Sequence, residues 1–176
     1  MQSQAIAWCK SVDQQKINSA IKVLKHYGYN RQADILTSRM RHKKLTIAFN
    51  DLGRVNTAYA DACAVTLRNH KTGELFVYLN NTIEDAPVEE LACILAHESV
   101  HVEHCTETNI WEQEIEGNRL EVMLSFRVLQ DKPKLQYGTD KLTKKLNFLR
   151  GLYDIPIKAF IKTNPLYADL LKVKDK

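Results

Sequence analysis

Two stretches near the start of the chain repeat apolar residues at helical spacing. In residues 4 to 26 these residues recur three or four positions apart: Ile17, Ala20, Ile21, Val23 and Leu24. This spacing predicts an amphipathic helix with one buried face. Gly28 ends the pattern, and residues 30 to 42 form a second predicted helix.

The pattern then changes to short runs rich in β-branched and aromatic residues. Leu45–Phe49, Ala62–Leu67 and Leu75–Leu79 are predicted to be strands. The last two are expected to form a hairpin through the turn His70–Gly73. Because Leu75–Leu79 directly precedes the next helix, we expect it to be an exposed edge that binds an extended peptide by strand addition.

The remainder of the chain is predicted to be helical. Residues 88 to 96 are largely apolar, and a further helical pattern begins at Ile110. The helix-breaking residues Pro133 and Gly138 predict a loop. Residues 140 to 150 and 156 to 172, after this loop, are predicted to be the last helices of the chain.

Residues 97 to 101, at the end of the apolar run, read His-Glu-Ser-Val-His. Four residues of α-helix turn through about 400° and rise about 6 Å, so His97 and His101 project from one face and can share a metal ion. Glu98 lies on the flank, where it reaches a water activated by the metal rather than the metal itself. The motif alone also fits two surface histidines, and its context decides between the two interpretations.

A tetrahedral metal with two histidines needs a third protein ligand, and the helix from Ile110 supplies acids. Its predicted buried side consists of Trp111, Ile115, Leu120, Val122, Met123, Leu124 and Phe126. Glu114, Asn118 and Glu121 follow at i, i+4 and i+7 on an adjacent stripe. Glu114 is therefore the predicted ligand, chosen over the other acids, which are Glu107, Glu112, Glu116 and Glu121.

Gly117 and Asn118, which follow Glu114 on the same helix, are expected to support it as a ligand. Gly117 would remove side-chain bulk where the two helices approach each other to share a metal. Asn118 would accept a hydrogen bond from the outer N–H of a ligating imidazole and so hold its tautomer.

The segment HESVH, followed by Glu114 within EIEGN, resembles the gluzincin zinc metallopeptidases, and with VYLNN before it is most similar to the ImmA/IrrE-type metallopeptidases. The matching residues run from about 75 to 125. The resemblance implies a zinc ion, a water nucleophile and a peptide substrate. Gly117 departs from the pattern, because alanine is usual at that position.

A rival family, the metzincins, would need Gly at position 104 and His at 107, where this chain has His104 and Glu107. On a continuing helix His104 lies about 10 Å along the axis from His97, too far to share an ion. His104 is therefore predicted to be an ordinary polar residue or a distant substrate contact. The sequence does not rank the candidates for a second oxyanion donor, which are Tyr59, Tyr78, Tyr153 and His104.

Composition fits a globular protein of 176 residues, with 44% hydrophobic and 26% charged residues. We expect a cytoplasmic protein with reduced thiols, because no membrane span or signal peptide is recognisable and Cys9, Cys63, Cys93 and Cys105 are widely spaced. The net charge of +4 is uneven: residues 74 to 121 hold twelve acids and one base, against nine acids and 24 bases elsewhere. Such segregation favours packing of the acidic metal-site helices beside basic flanking helices. The alternative is that the basic segment 39–44 and the lysine-rich C-terminal third bind an acidic partner, but nothing resembles a nucleic-acid-reading motif, so nucleic acid is not the favoured partner.

The sequence thus predicts one α+β domain, mainly helical, in which a small and mostly antiparallel three-stranded sheet lies over the HExxH helix. N-terminal helices occupy 1–43, the sheet and metal-site helices 44–130, and C-terminal helices 131–176. The predicted function is peptide-bond hydrolysis with Zn²⁺ held by His97, His101 and Glu114 and with Glu98 as general base. The alternative is a regulatory metal-binding protein that acts by binding a partner or nucleic acid. The substrate's identity and the oligomeric state do not follow from the sequence.

Overall fold

The computed structural model of the chain describes residues 11 to 132. In chain order its elements are α1 (Ser11–His26), α2 (Asn30–Arg41), β1 (Leu45–Asn50), α3 (Leu52–Val55), β2 (Ala64–Arg68), β3 (Leu75–Asn80), α4 (Val88–Glu103) and α5 (Ile110–Asp131). These elements confirm the predicted α+β class and its mainly helical character. The predicted loop at Pro133 and Gly138, the helices at 140 to 150 and 156 to 172, and residues 4 to 10 lie outside the described residues.

The sheet of this described region has the strand order β1-β3-β2. β2 and β3 are antiparallel, with Thr66 opposite Val77, which confirms the predicted hairpin. β1 instead runs parallel to β3, with Leu45 opposite Leu75. The sheet is therefore mixed rather than mostly antiparallel, because the chain leaves β1, passes the position of β3 to form β2, and returns as β3 between them.

This strand order also corrects the expected peptide-binding edge. β3 is the central strand, and both of its sides are paired, with β1 and with β2. Its backbone groups are used within the sheet, so strand addition at Leu75–Leu79 is excluded. The edges of the sheet in residues 11–132 are β1 and β2.

The two faces of the sheet differ in burial. Val77 and Leu79 are fully buried on the inner face, whereas Phe76 and Tyr78 alternate with them on the outer face and stack at 5.8 Å between ring centroids. Residues directly opposite each other in a sheet share a face, so Thr66 lies on the inner face beside Val77. The inner face is the one covered by helices.

Helix α4 lies at the centre of the fold, packed against α1, α2, α5 and β2. It begins after Pro87, with Glu89 and Glu90 in its first turn, where carboxylates interact favourably with the helix dipole. Every residue from Leu91 to Val100 is buried, as expected for a helix enclosed on all sides by the rest of the fold. His97 and Glu98 are consequently held inside the protein rather than on its surface.

Helix α5 buries a polar stripe against α4. Its buried residues include Gln113, Glu114, Asn118 and Glu121. Val122 and Leu124 are buried as predicted, but Met123 and Phe126 are 48% and 37% exposed. The predicted buried side is thus partly wrong, because the face of α5 that meets α4 is the one facing the two histidines.

Among the residues that the structure describes, no helix is both long enough and apolar enough to cross a membrane.

Candidate metal centre

Three side chains converge between α4 and α5. Nε2 of His97 lies 3.2 Å from Nε2 of His101. Glu114 places Oε2 3.4 Å from the first of these nitrogens and Oε1 3.2 Å from the second. One donor atom from each residue fits within 4.8 Å of the others, so the three predicted ligands form a cage of the size that one metal ion needs.

Local features of α5 bring Glu114 to this position. The side chain of Asn109 caps the helix by accepting a hydrogen bond from the backbone N–H of Glu112. At Gly117, one turn after Glu114, a Cβ would lie only 2.9 Å from Cγ and Cδ2 of His97. Gly117 was expected to let the two helices approach each other, and the structure shows that the side chain it makes room for is the imidazole of His97.

The outer nitrogens of the two imidazoles face partners on α5. Nδ1 of His101 lies 3.1 Å from Oε1 of Gln113, whose amide nitrogen donates to the carbonyl oxygen of His104 at 3.3 Å. Nδ1 of His97 lies 3.3 Å from Oε2 of Glu121, an ion-pair contact without hydrogen-bond geometry. Such partners orient ligating imidazoles and leave Nε2 for the metal.

This arrangement corrects the role expected for Asn118. Its amide nitrogen donates to the backbone carbonyl of Glu114 at 2.8 Å, so it stabilises the helix and does not hold an imidazole. Glu121 takes that place beside His97, and Gln113 beside His101. Sequence reasoning placed Glu121 on the correct stripe, seven residues from Glu114, but gave Gln113 no role because nothing in its spacing singles it out.

The charges of the cage shift the pKa values of its members strongly. Burial disfavours a charged imidazole at position 97, but Glu114 and Glu121 outweigh burial and raise the pKa of His97 to about 10. Glu114 and Glu98 likewise raise the pKa of His101 against the effect of burial. Burial would raise the pKa of Glu114, whereas the two histidines lower it below its usual range. Without a metal the cage therefore holds protons that a cation must displace.

The donor set fits a divalent cation. Oε2 of Glu114 is buried and accepts no hydrogen bond from the described residues, although it lies 3.4 Å from Nε2 of His97. A cation held between them would take the place of the proton on that imidazole as the partner of the carboxylate. Two imidazoles and one carboxylate are ligands that zinc and similar transition metals accept. The three residues can therefore hold a metal ion, with at least one coordination position left for another ligand.

Glu98 lies beside the cage but is not part of it. It is 5% exposed, and its Oε2 accepts a hydrogen bond of 2.7 Å from Oγ1 of Thr66 on β2. Its charge is close enough to raise the pKa values of both His97 and His101. This position matches the flank predicted for Glu98, and the sequence gave no indication that Thr66 would be its partner.

The other candidate residues are distributed more widely. His104 lies 2.7 Å from a carboxylate oxygen of Glu107, which raises its pKa, and stays outside the cage. Glu107, Glu112 and Glu116 are exposed. Tyr78 is on the outer face of the sheet and is thereby removed as an oxyanion donor, while Tyr153 lies outside the described residues. Tyr59, in the turn Thr57–Tyr59 before β2, remains a candidate.

The three described cysteines, Cys63, Cys93 and Cys105, are not in disulfides, as expected from their spacing.

Comparison of the chain with protein-family models, with curated proteins and with solved structures finds no match. The interpretation of the metal centre therefore depends on its own geometry and chemistry.

Proposed function

We propose that this protein is a zinc-dependent peptidase whose centre is formed by His97, His101 and Glu114. The observation that carries the proposal is the convergence of these three donors beside a buried carboxylate, Glu98, that is held separately by Thr66. A cage alone would fit any metal-binding role. An acidic group that flanks the cage without entering it is what hydrolytic chemistry requires.

Zinc bound in this cage would supply a Lewis acid that polarises the scissile carbonyl and acidifies a water molecule. Glu98 would accept the proton of the attacking water and return it to the leaving amine. Thr66 limits the rotation of Glu98, because its hydroxyl binds one of the two carboxylate oxygens and leaves the other for the water. Gln113 and Glu121 would keep the imidazoles in the orientation that presents Nε2.

The substrate would be an extended peptide that pairs with β2. This strand is an edge of the sheet within the described residues, and Thr66 at its middle contacts Glu98. An edge strand offers N–H and C=O groups to which an extended chain can bind. A peptide in this position would pass directly over Glu98. We also propose a cytoplasmic location, consistent with the absence of disulfides at the three described cysteines.

Two measurements on the purified chain test the proposal: its metal content, and cleavage of a peptide library with and without a chelator. We expect about one zinc per chain and cleavage that the chelator abolishes and added zinc restores. The variant Glu98→Gln should keep the zinc and lose the cleavage. Zinc binding without cleavage by the wild type would refute the peptidase and favour the regulatory metal-binding alternative. A chain without bound metal would refute both.

A further inference from the structure

A group of exposed cations occupies one end of the sheet. The residues of this cationic surface are Arg41, Lys43, Lys44, Arg68 and Lys71, all exposed. In the sequence they belong to two separate segments, one after α2 and one at the β2–β3 turn. No pattern in the sequence joins these two segments.

Strand pairing brings the segments together. The parallel register sets Leu45 of β1 opposite Leu75 of β3, and the backbone N–H of Leu75 donates to the carbonyl of Lys44 at 3.0 Å. The antiparallel register sets Arg68, the last residue of β2, opposite the same Leu75. Neighbouring strands are about 4.8 Å apart, so the two turns flank one end of the sheet within about 10 Å of each other.

These cations are not neutralised by the part of the chain that the structure describes. None of the five is in an ion pair with a residue between 11 and 132, in contrast to Lys25, Arg31 and Arg54, which are. The single acid in the adjoining turn, Glu74, accepts a hydrogen bond from the hydroxyl of Thr72 at 3.0 Å. The cationic surface is therefore free to bind an anionic partner.

The cationic surface is continuous with the edge strand beside the metal centre. Arg68 is two residues after Thr66, so both side chains lie on the same face of β2, about 7 Å apart along the strand. Thr66 contacts Glu98. An extended chain paired with β2 would thus lie over Glu98 and, about two residues later, reach the cationic surface.

We propose that the cationic surface binds acidic side chains of the substrate protein, at positions about two to six residues from the bond that is cleaved, given about 3.3 Å per residue of extended chain. This inference rests on the proposed function and adds the substrate class to it. The helices that form the centre belong to the acidic segment from 74 to 121, so we expect an acidic peptide to bind best where it runs toward these cations. Nucleic acid fits less well, because the turns at 41–44 and 68–71 contain no Phe, Tyr or Trp on which bases would stack.

The test measures binding by fluorescence anisotropy, with the zinc-loaded full chain carrying Glu98→Gln to prevent turnover. The probe is a peptide with a neutral, β-prone half and a glutamate-rich half, compared with a counterpart in which every Glu is Gln. One variant removes three of the five charges of the surface with Lys44→Gln, Arg68→Gln and Lys71→Gln. A control variant removes the same charge elsewhere, on α1 and at the opposite end of the sheet: Lys22→Gln, Lys25→Gln and Arg54→Gln.

We expect the acidic peptide to bind more tightly than its Gln counterpart, and the surface variant to lose about 10-fold in affinity for it while the control loses little, with a difference that high salt removes. Equal binding of the two peptides, or equal loss in both variants, would overturn the proposal. Tighter, surface-dependent binding of a single-stranded oligonucleotide would overturn it in favour of nucleic acid. Because the assay needs no turnover, its result is independent of whether the wild type cleaves the peptide library.

Discussion

Replacing Gly117 with alanine is expected to damage the metal centre more than the fold. The new Cβ would lie 2.9 Å from two ring carbons of His97, against about 3.4 Å for ordinary contact, a deficit of about 0.5 Å. The ring has little room to retreat, because its Nδ1 is 3.3 Å from Glu121. Metal ligands tolerate displacements of only about 0.2 Å, so we expect zinc affinity to fall about 10- to 100-fold, as when a supporting contact of a ligand is lost.

Stability should change less. Alanine is favoured over glycine in a helix by about 1 kcal/mol, while overpacking costs about 1–3 kcal/mol. The net loss is thus at most about 2 kcal/mol, or a fall in Tm of at most about 8 °C. Gly53→Ala is the matched control, because a Cβ there would meet its neighbours at 3.4 Å, an ordinary contact.

Competition with a chromogenic zinc chelator gives the affinities, and thermal unfolding of the metal-free proteins gives the stabilities. Unchanged zinc affinity in Gly117→Ala would refute this reasoning and would mean that α4 and α5 stand further apart around a bound metal.

Four further outcomes are expected. Glu98→Gln should lower peptidase rates by about 10²- to 10⁴-fold with zinc content unchanged, since the amide cannot accept a proton; undiminished rates would remove Glu98 from the mechanism. Glu114→Ala should lose zinc while Glu116→Ala, a change at an exposed position, keeps it, as elemental analysis will show. Thr66→Val should lower kcat about 10-fold with zinc retained, and Thr66→Ser should restore it, because serine keeps the hydroxyl that donates to Glu98. Because the pKa of His97 is raised to about 10, zinc must displace a proton below that pH, so affinity should rise with pH toward 10 and calorimetry in buffers of different ionisation enthalpy should report proton release.

Local spacing was sufficient to predict much of the metal centre. The helical period places His97 and His101 on one face whatever the surrounding fold, and the structure confirms that they meet. The period of α5 groups Glu114 with Asn118 and Glu121 on a single buried stripe, and the structure brings Glu114 to the two histidines. The hairpin of β2 and β3 was predictable for the same reason, since a short turn between two strands leaves few other pairings.

Predictions from local spacing were wrong where a residue's burial or a strand's position depended on which elements become neighbours. Periodicity identifies an apolar stripe on α5, but the stripe that is buried faces α4, and Met123 and Phe126 are left exposed. In the same way, only the pairing of β1 with β3 made β3 central and moved the free edge to β2.

The partners of the site residues also depend on which elements become neighbours. Thr66 is 32 residues from Glu98, and its hydroxyl reaches that carboxylate only because β2 packs on α4. Gln113 and Glu121 are near Glu114 in sequence, but their pairing with the imidazoles requires the distance and rotation of α5 against α4. The sequence by itself determined which residues share a helix face, because that follows from 3.6 residues per turn; the tertiary structure alone decided which faces meet, because that depends on packing among all the elements at once.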